Sequence, residues 1–542
     1  MSTKKESFVK GTLILAAAAL VARVLGLAQR VPLEHLFNEV GNAAFTQANN
    51  VYLLLLPLAT AGIPSTLSKM VSERYALNRP QEAQQVYRAA LIFAAVVGVL
   101  MSVALYIAAP YYAESSKVPE STLAIRAIAP ALLLFPAIAM MRGYFQGRNN
   151  MMAGGISQIV EQIARVSTAI LLAFILLRQG YSNTWMAAGA SFGSVLGSIG
   201  AFGVMLYYAM KLRRSEEKVA LYESSEARIP LLKIYKDIFK LSIPIVLSSV
   251  TVPVVNFIDT TFIVPLLSGQ IGLKEATWTL GIFGSRAQSV AGIPPVLSIA
   301  LSASLIPIIS AAFARKDEQH LQRQVTLAMR VSILTGTPVV LSLVVAAYSV
   351  NGLLFKTLDG SGIVAMLTLG TIFQITMMTT NSILLGMGKS RISMYYVLVG
   401  ILVKFGSNFL FSQWFGIYGI IGSTALCFIV ITLLNLRMLK KIVPFSILGK
   451  RWGGFSIAVL ASAGIGYGLN EAGLLMTDLM PARLAFLITC LVVGAAVVIV
   501  YLVLLIILGV LSSQEIAGYP RPLRKLLGPL MKLQPARVRA GE

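Results

Sequence analysis

Long apolar stretches, separated by short polar or charged segments, follow one another from the start of the chain to its end. Many contain 18 or more residues, which is enough for a helix to cross a hydrocarbon core of roughly 30 Å. The pattern predicts an all-α polytopic membrane protein of about fourteen spans. The predicted spans are 11–31, 43–68, 87–110, 122–143, 155–178, 185–210, 237–264, 280–310, 326–349, 361–386, 391–413, 416–440, 452–470 and 482–510.

Composition agrees with a membrane protein and excludes a soluble one. Of 542 residues, 56% are hydrophobic and 12% are charged, with a mean hydropathy of +0.77. A soluble domain needs about a quarter of its residues charged. The net charge of +23 comes from basic residues between the apolar runs, which is typical of a membrane protein and excludes a nucleic-acid partner.

The basic residues also predict an orientation in the cell membrane. With the N-terminus in the cytoplasm, most of them fall on the cytoplasmic side, where the positive-inside rule places them. These include Lys69, Arg74, Arg79, Arg142, Arg148, Lys211, Arg213, Arg214, Lys218, Arg315, Lys389, Arg437 and Lys440. An even number of spans then places both termini in the cytoplasm.

Two pairs of similar segments indicate an internal repeat. Ile63-Pro64-Ser65 at the end of span two resembles Ile306-Pro307-Ile308 at the end of span eight, and Phe145–Arg148 after span four resembles Leu385–Lys389 after span ten. Both pairs are six spans apart, so the halves should be related by an axis along the membrane normal, with a cavity between two lobes. The predicted organisation is an N-lobe at 1–210, a cytoplasmic linker at 211–236, a C-lobe at 237–441, two additional spans within 442–510, and a basic cytoplasmic tail at 511–542.

Ionisable residues inside predicted spans are candidates for function, because each costs roughly 2.5–3.5 kcal/mol on insertion scales. Four of them are basic: Arg23, Arg165, Arg286 and Lys404. If they face one interior, the cavity is cationic and suits a phosphate or pyrophosphate. Arg30, near the end of the first span, is expected to extend to the membrane interface.

Acidic and amide residues form polar stripes on two spans. Glu161 precedes Arg165 by one turn, so the two can neutralise each other within the helix or serve a substrate or an ion. Asn256 and Asp259 form a similar stripe, and Arg23 could pair with Glu161 or Asp259.

Other motifs limit the chemistry. No GxxxxGK[ST] phosphate loop occurs, so transport should depend on Na⁺, H⁺, membrane potential or the substrate gradient. Two cysteines and two histidines indicate neither a metal site nor a cofactor. Helix breakers at Gly62, Pro64 and Pro307 are predicted hinges.

Several motifs together resemble the MurJ/SpoVB-type polysaccharide biosynthesis proteins of the MOP exporter superfamily. They are Arg23-Val24-Leu25-Gly26, Ala61-Gly62-Ile63-Pro64, Ser68–Glu73, Gly143–Gly147, Ile156–Gln162 and Pro244–Asp259. The resemblance implies two six-helix lobes around a cavity and two C-terminal helices that form a groove for a polyprenyl tail. Arg23 matches the family's first-helix arginine. Gln29 replaces a second family arginine, Leu56 and Pro57 replace a basic pair, and Arg286 matches only across a gap, which suits the sporulation-type branch.

The resemblance implies a transporter rather than an enzyme: a flippase for an undecaprenyl-pyrophosphate-linked cell-wall precursor, with lipid II as first choice. Pyrophosphate would bind Arg23 and Arg286, and the protein would act as a monomer whose tail contacts anionic lipids. The alternatives are an ion-coupled multidrug exporter of the MATE type, a flippase for teichoic or capsular polysaccharide repeats, a membrane-embedded glycosyltransferase or polymerase, and a structural scaffold. A MATE-type exporter would need an acidic lobe, and a glycosyltransferase would need large outer loops, whereas the loops here are short.

Overall fold

The described part of the protein is almost entirely helical in the computed structural model. It covers residues 21, 24–26, 28–60, 62–148, 150–217, 230–296, 309–310, 312–313, 315–355 and 357–511, and no strand occurs in these ranges. Residues 28–36 are helical. The later helices are α1 (Glu39–Thr60), α2 (Ile63–Ala76), α3 (Pro80–Ser115), α4 (Ser121–Ile128), α5 (Ala131–Gly147), α6 (Met151–Arg178), α7 (Asn183–Glu217), α8 (Leu231–Ser249), α9 (Thr251–Ile271), α10 (Leu273–Ile282), α11 (Gln288–Ala291), α12 (Glu318–Val345), α13 (Ala347–Leu354), α14 (Ser361–Gly386), α15 (Ser390–Ile442), α16 (Trp452–Leu475) and α17 (Ala482–Ile507).

Ten helical segments of the described residues are long and apolar enough to cross a membrane. The predicted class, an all-α polytopic membrane protein, is therefore confirmed. The predicted first span and the second half of the eighth lie largely outside the described residues.

The predicted second span is broken where its glycine and proline lie. Gly62, between α1 and α2, adopts the left-handed conformation with φ 61°, which glycine reaches without strain. Pro64 lies in the first turn of α2, where its missing N–H costs no hydrogen bond. A Cβ on Gly62 would lie only 2.7 Å from Cγ2 of Val246, so this site requires glycine. Hinge motion here stays a prediction.

The predicted seventh span also divides in two, into α8 and α9, with Val250 between them. Pro253 has no N–H to donate to the carbonyl of Ser249, so one helical hydrogen bond is lost at this point. The span expected at 237–264 therefore consists of two helices separated by a one-residue break.

The longest helix, α15, contains two predicted spans. Its 53 residues would measure about 80 Å as one straight helix, more than twice the hydrocarbon core. Gly416 breaks it with non-helical dihedral angles (φ 55°, ψ −130°). Trp414 and Phe415 beside the break are largely exposed, as aromatic residues at a membrane interface usually are. The break agrees with the predicted boundary between 413 and 416.

The helices pack into two compact units, which we call the first and the second unit. The first comprises residues 1–285 and 390–423, and the second comprises residues 286–389 and 424–542. The predicted lobes rest on the sequence repeat and are not tested by this division.

Small residues bring the helices of the first unit close together. Alanines of α3, among them Ala83, Ala89 and Ala90, are buried against α2 and α5. Gly143 of α5 lies so near α2 that a Cβ would approach the carbonyl oxygen of Pro64 to 2.6 Å. Close backbone approach of this kind is how helices associate in lipid.

In the second unit, α16 and α17 pack as a pair through small residues. A Cβ on Gly466 would lie 2.5 Å from Val497, and Asn470 of α16 accepts a hydrogen bond of 2.7 Å from Ser349 of α13. Outward positions such as Leu460 and Leu491 are exposed. The predicted groove for a polyprenyl tail at 442–510 stays a prediction.

Candidate functional site

The helices α6 and α7 of the first unit form a close hairpin because α7 carries a row of glycines. A Cβ on Gly193 would lie 2.7 Å from the carbonyl oxygen of Arg165, and one on Gly197 would lie 2.9 Å from the carbonyl oxygen of Glu161. The backbone of the Glu161–Arg165 turn therefore rests directly on α7. This contact fixes the direction in which both charged side chains leave α6.

Glu161 forms an ion pair with a residue of a different helix. Nη2 of Arg142, on α5, donates to Oε2 of Glu161 at 2.7 Å. The same guanidinium donates to the hydroxyl of Ser157 through Nη2 at 2.9 Å and Nε at 3.2 Å. Ser157 in turn donates to the carbonyl of Ala201 on α7 at 3.2 Å. The network joins α5, α6 and α7, and it replaces the Glu161–Arg165 pair that the spacing allows.

Arg165 has no hydrogen bond or ion pair with any residue that the structure describes. Its side chain is partly buried, and its Nε is fully buried without a partner. Its guanidinium borders Gly26, where a Cβ would lie 3.3 Å from Nη2 and 4.0 Å from Oε1 of Gln162.

Lys404 lies in a closed polar cage within the first unit. Its ammonium contacts the carboxylate of Asp259 and is fully buried (0% exposed). It donates to the hydroxyl of Ser423 at 2.7 Å, the carbonyl of Ile420 at 3.0 Å and Oδ1 of Asn408 at 3.3 Å. The positive charge is thus neutralised inside the protein, and the side chain presents no surface to a substrate in this conformation.

Arg286, in the second unit, is hydrogen-bonded to the loop at 357–359. It belongs to a π-helical turn, Phe283–Ala287, a local geometry often found at functional positions. Its Nη1 donates to the carbonyl and hydroxyl of Thr357, both at 3.0 Å, and to the carbonyl of Asp359 at 2.9 Å. The side chain is 6% exposed.

The remaining candidates are dispersed. Arg23 and Pro307 lie outside the described residues. Asn256 is one turn before Asp259 on α9, is partly buried, and takes no part in the Lys404 cage. Arg30 donates to the backbone carbonyl of Gly284, and its expected position at the membrane interface stays a prediction.

Sequence reasoning missed two contributors to this site. It counted Arg142 only among the cytoplasmic bases, although a basic residue near the end of one span and an acid in the next could have been considered as a pair. Gly26 belongs to one of the family motifs, but sequence reasoning assigned it no role of its own. In the structure it leaves room for the guanidinium of Arg165, which a side chain at this position would contact. No group of three His, Cys, Asp or Glu that could bind a metal occurs in the described ranges.

The helical fold matches solved structures whose descriptions place those proteins in the MOP superfamily. A structure described as the inward-facing conformation of a multidrug resistance MATE family transporter matches with a TM-score of 0.64 at 15% identity, over 78% of this chain and 95% of that one. Residues 8–313 match the family described as "Polysaccharide biosynthesis protein", and the chain belongs to this family. Among its relatives, the Bacillus subtilis "Lipid II flippase MurJ" is 26% identical over 82% of this chain and 84% of its own length. The B. subtilis "Stage V sporulation protein B" is 25% identical over 95% of this chain and 98% of its own.

Proposed function

We propose that this protein moves an undecaprenyl-pyrophosphate-linked cell-wall precursor, with lipid II as first choice, from the inner to the outer leaflet. Transport would proceed by alternating access without ATP. The named relatives support a lipid-linked substrate, since one of them is described as a lipid II flippase. Anionic lipids at the basic tail 511–542 and a monomeric state are part of this proposal.

The proposal rests on the environment of Arg165. Among the basic candidates that the structure describes, it has no internal partner, whereas Lys404 faces Asp259 and Arg286 binds loop carbonyls. A guanidinium without an internal partner favours an anion with paired oxygens, because its planar fork matches phosphate geometry. Arg23 and Arg286 remain proposed as further ligands of the pyrophosphate.

The membrane potential suits an anionic substrate. A pyrophosphate carries about two negative charges outwards, and a potential negative inside favours this by about 2.3 kcal/mol per charge per 100 mV. Coupling to Na⁺ or H⁺ would add to this driving force, and a flippase needs no cofactor in either case.

A MATE-type exporter, which would carry cationic drugs, is the second candidate, because a solved structure of similar fold is described as a multidrug resistance MATE family transporter. It requires acidic groups open to the substrate. Glu161 and Asp259 are each engaged by a basic side chain, which favours the anionic substrate. A flippase for teichoic or capsular repeats would share the pyrophosphate chemistry and differ only in head group.

Substitution of Arg165 tests the proposal. In a strain depleted of its own flippase, Arg165→Gln should prevent the appearance of lipid II on the outer leaflet while membrane abundance stays normal. In the purified full-length protein it should weaken binding of undecaprenyl pyrophosphate about 10- to 100-fold, since a hydrogen bond to a charged group contributes about 1.5–3 kcal/mol. Arg178→Gln is the matched control, because Arg178 ends the same helix in an exposed position. Unchanged flipping and binding in Arg165→Gln would contradict the proposal.

A further inference from the structure

Glu161 and Arg165 would normally be expected to form an ion pair. They are four residues apart on α6 with the acid on the N-terminal side, which is the more favourable order for such a pair in a helix. The structure shows no ion pair between them, and the carboxylate is bound to Arg142 instead. Something must therefore hold Glu161 away from its nearest basic neighbour.

Arg142 supplies that restraint with suitable geometry. Its fork reaches the carboxylate of Glu161 and the hydroxyl of Ser157 at the same time, at 2.7 and 2.9 Å. The Glu161 side chain is only 9% exposed, so water screens the pair little and the attraction is strong. Gly197 seats the backbone of Glu161 against α7, so rotation of the side chain, rather than a shift of the helix, decides which arginine the carboxylate contacts.

We infer that Arg142 is a positioning residue that keeps Arg165 available as an unpaired cation by sequestering Glu161. Without Arg142, the carboxylate of Glu161 would rotate towards Arg165, one helical turn further along α6, and form an ion pair that neutralises its positive charge. The group that Arg165 would then fail to bind is a phosphate or pyrophosphate of the substrate. This inference rests on the proposed function and adds a residue that does not itself touch the substrate.

Two single variants and their combination separate this role from a purely structural one. Arg142→Gln should weaken binding of undecaprenyl pyrophosphate to the detergent-purified full-length protein about tenfold, which corresponds to one charge-assisted contact of about 1.4 kcal/mol. Glu161→Gln should keep or strengthen binding, since it removes the competing negative charge. The double variant Arg142→Gln/Glu161→Gln should regain the binding that Arg142→Gln loses.

A merely structural ion pair predicts a different pattern. Either single variant would then lower thermal stability and binding together, and the double variant would not recover binding. Loss of binding in Glu161→Gln, or no rescue in the double variant, would overturn the inference. If Arg142→Gln does not accumulate, Arg142→Lys and Arg142→Lys/Glu161→Gln provide the same comparison. A lysine retains the charge but cannot reach both Glu161 and Ser157 with a fork, so a smaller loss, again rescued, is expected, and no loss in folded Arg142→Lys would count against the inference.

The same set of variants distinguishes failure of the inference from failure of the proposed function. If Arg165→Gln leaves binding unchanged, the anion site itself is wrong. If Arg165→Gln abolishes binding but Arg142→Gln does not weaken it, the site stands and only the role of Arg142 fails.

Discussion

Substitution of Lys404 tests how this protein accommodates charge in its interior. Lys404→Met keeps a chain of similar length but removes the ammonium that faces Asp259. Asp259 is 1% exposed, so its carboxylate would be left buried without a counter-charge. Removing one partner of a buried ion pair typically costs about 3–5 kcal/mol. The hydroxyl of Ser423, which accepts a hydrogen bond of 2.7 Å from the ammonium, would lose that donor as well.

The double variant Lys404→Met/Asp259→Asn is the informative comparison. It removes both charges, so most of the penalty for an uncompensated ion should disappear, and stability should lie above that of Lys404→Met. Thermal unfolding of the detergent-purified protein measures both values, and Lys440→Met, an exposed lysine near the end of the same helix, is the control. If the double variant is no more stable than Lys404→Met, the cost comes from the lost polar cage and the reasoning from charge is refuted. Flipping by the double variant would further show that the substrate does not need the charge of Lys404.

Three further predictions follow from the packing and the charge pattern. Gly197→Ala should destabilise the protein by about 1–3 kcal/mol because its Cβ overpacks α6, whereas Gly203→Ala, with open space around it, should not, as thermal unfolding can show. A cysteine at Lys218 should resist an impermeant thiol reagent in intact cells, and labelling from outside would refute cytoplasmic placement of the linker. A photo-reactive polyprenyl probe should label position Leu487 of α17 more than the equally apolar and more exposed Leu402, and equal labelling would leave α16 and α17 as ordinary lipid-facing helices.

The class of fold could be predicted from the sequence because the length of an apolar run indicates directly whether a helix can cross the membrane. The helix breaks at Gly62 and Gly416 could also be predicted from the sequence, since glycine and proline affect the backbone locally. The partner of Glu161 could not be predicted from local sequence in the same way. Helical spacing offers Arg165, but the choice of Arg142 depends on how α5 packs against α6 and α7, and Ser157 of the same network donates to Ala201 on α7, 44 residues away in the chain. The cage of Lys404 likewise needs Asp259 and Ser423, which lie more than a hundred residues apart.

The charges of the first unit explain why counting basic residues overstates the cationic character of its interior. Among its described candidate residues, Arg142 is balanced by Glu161 and Lys404 by Asp259, so Arg165 alone contributes an uncompensated positive charge. An unpaired cation inside a membrane protein costs roughly 2.5–3.5 kcal/mol on insertion scales, and an anionic ligand lowers that cost when it binds. A second free cation would strengthen binding of pyrophosphate but would also slow its release, whereas transport needs both steps. Pairing of the other bases therefore fits a site that binds an anion moderately and lets it go, and a variant that frees a second cation near Arg165, such as Glu161→Gln, should bind undecaprenyl pyrophosphate at least as tightly and flip lipid II more slowly.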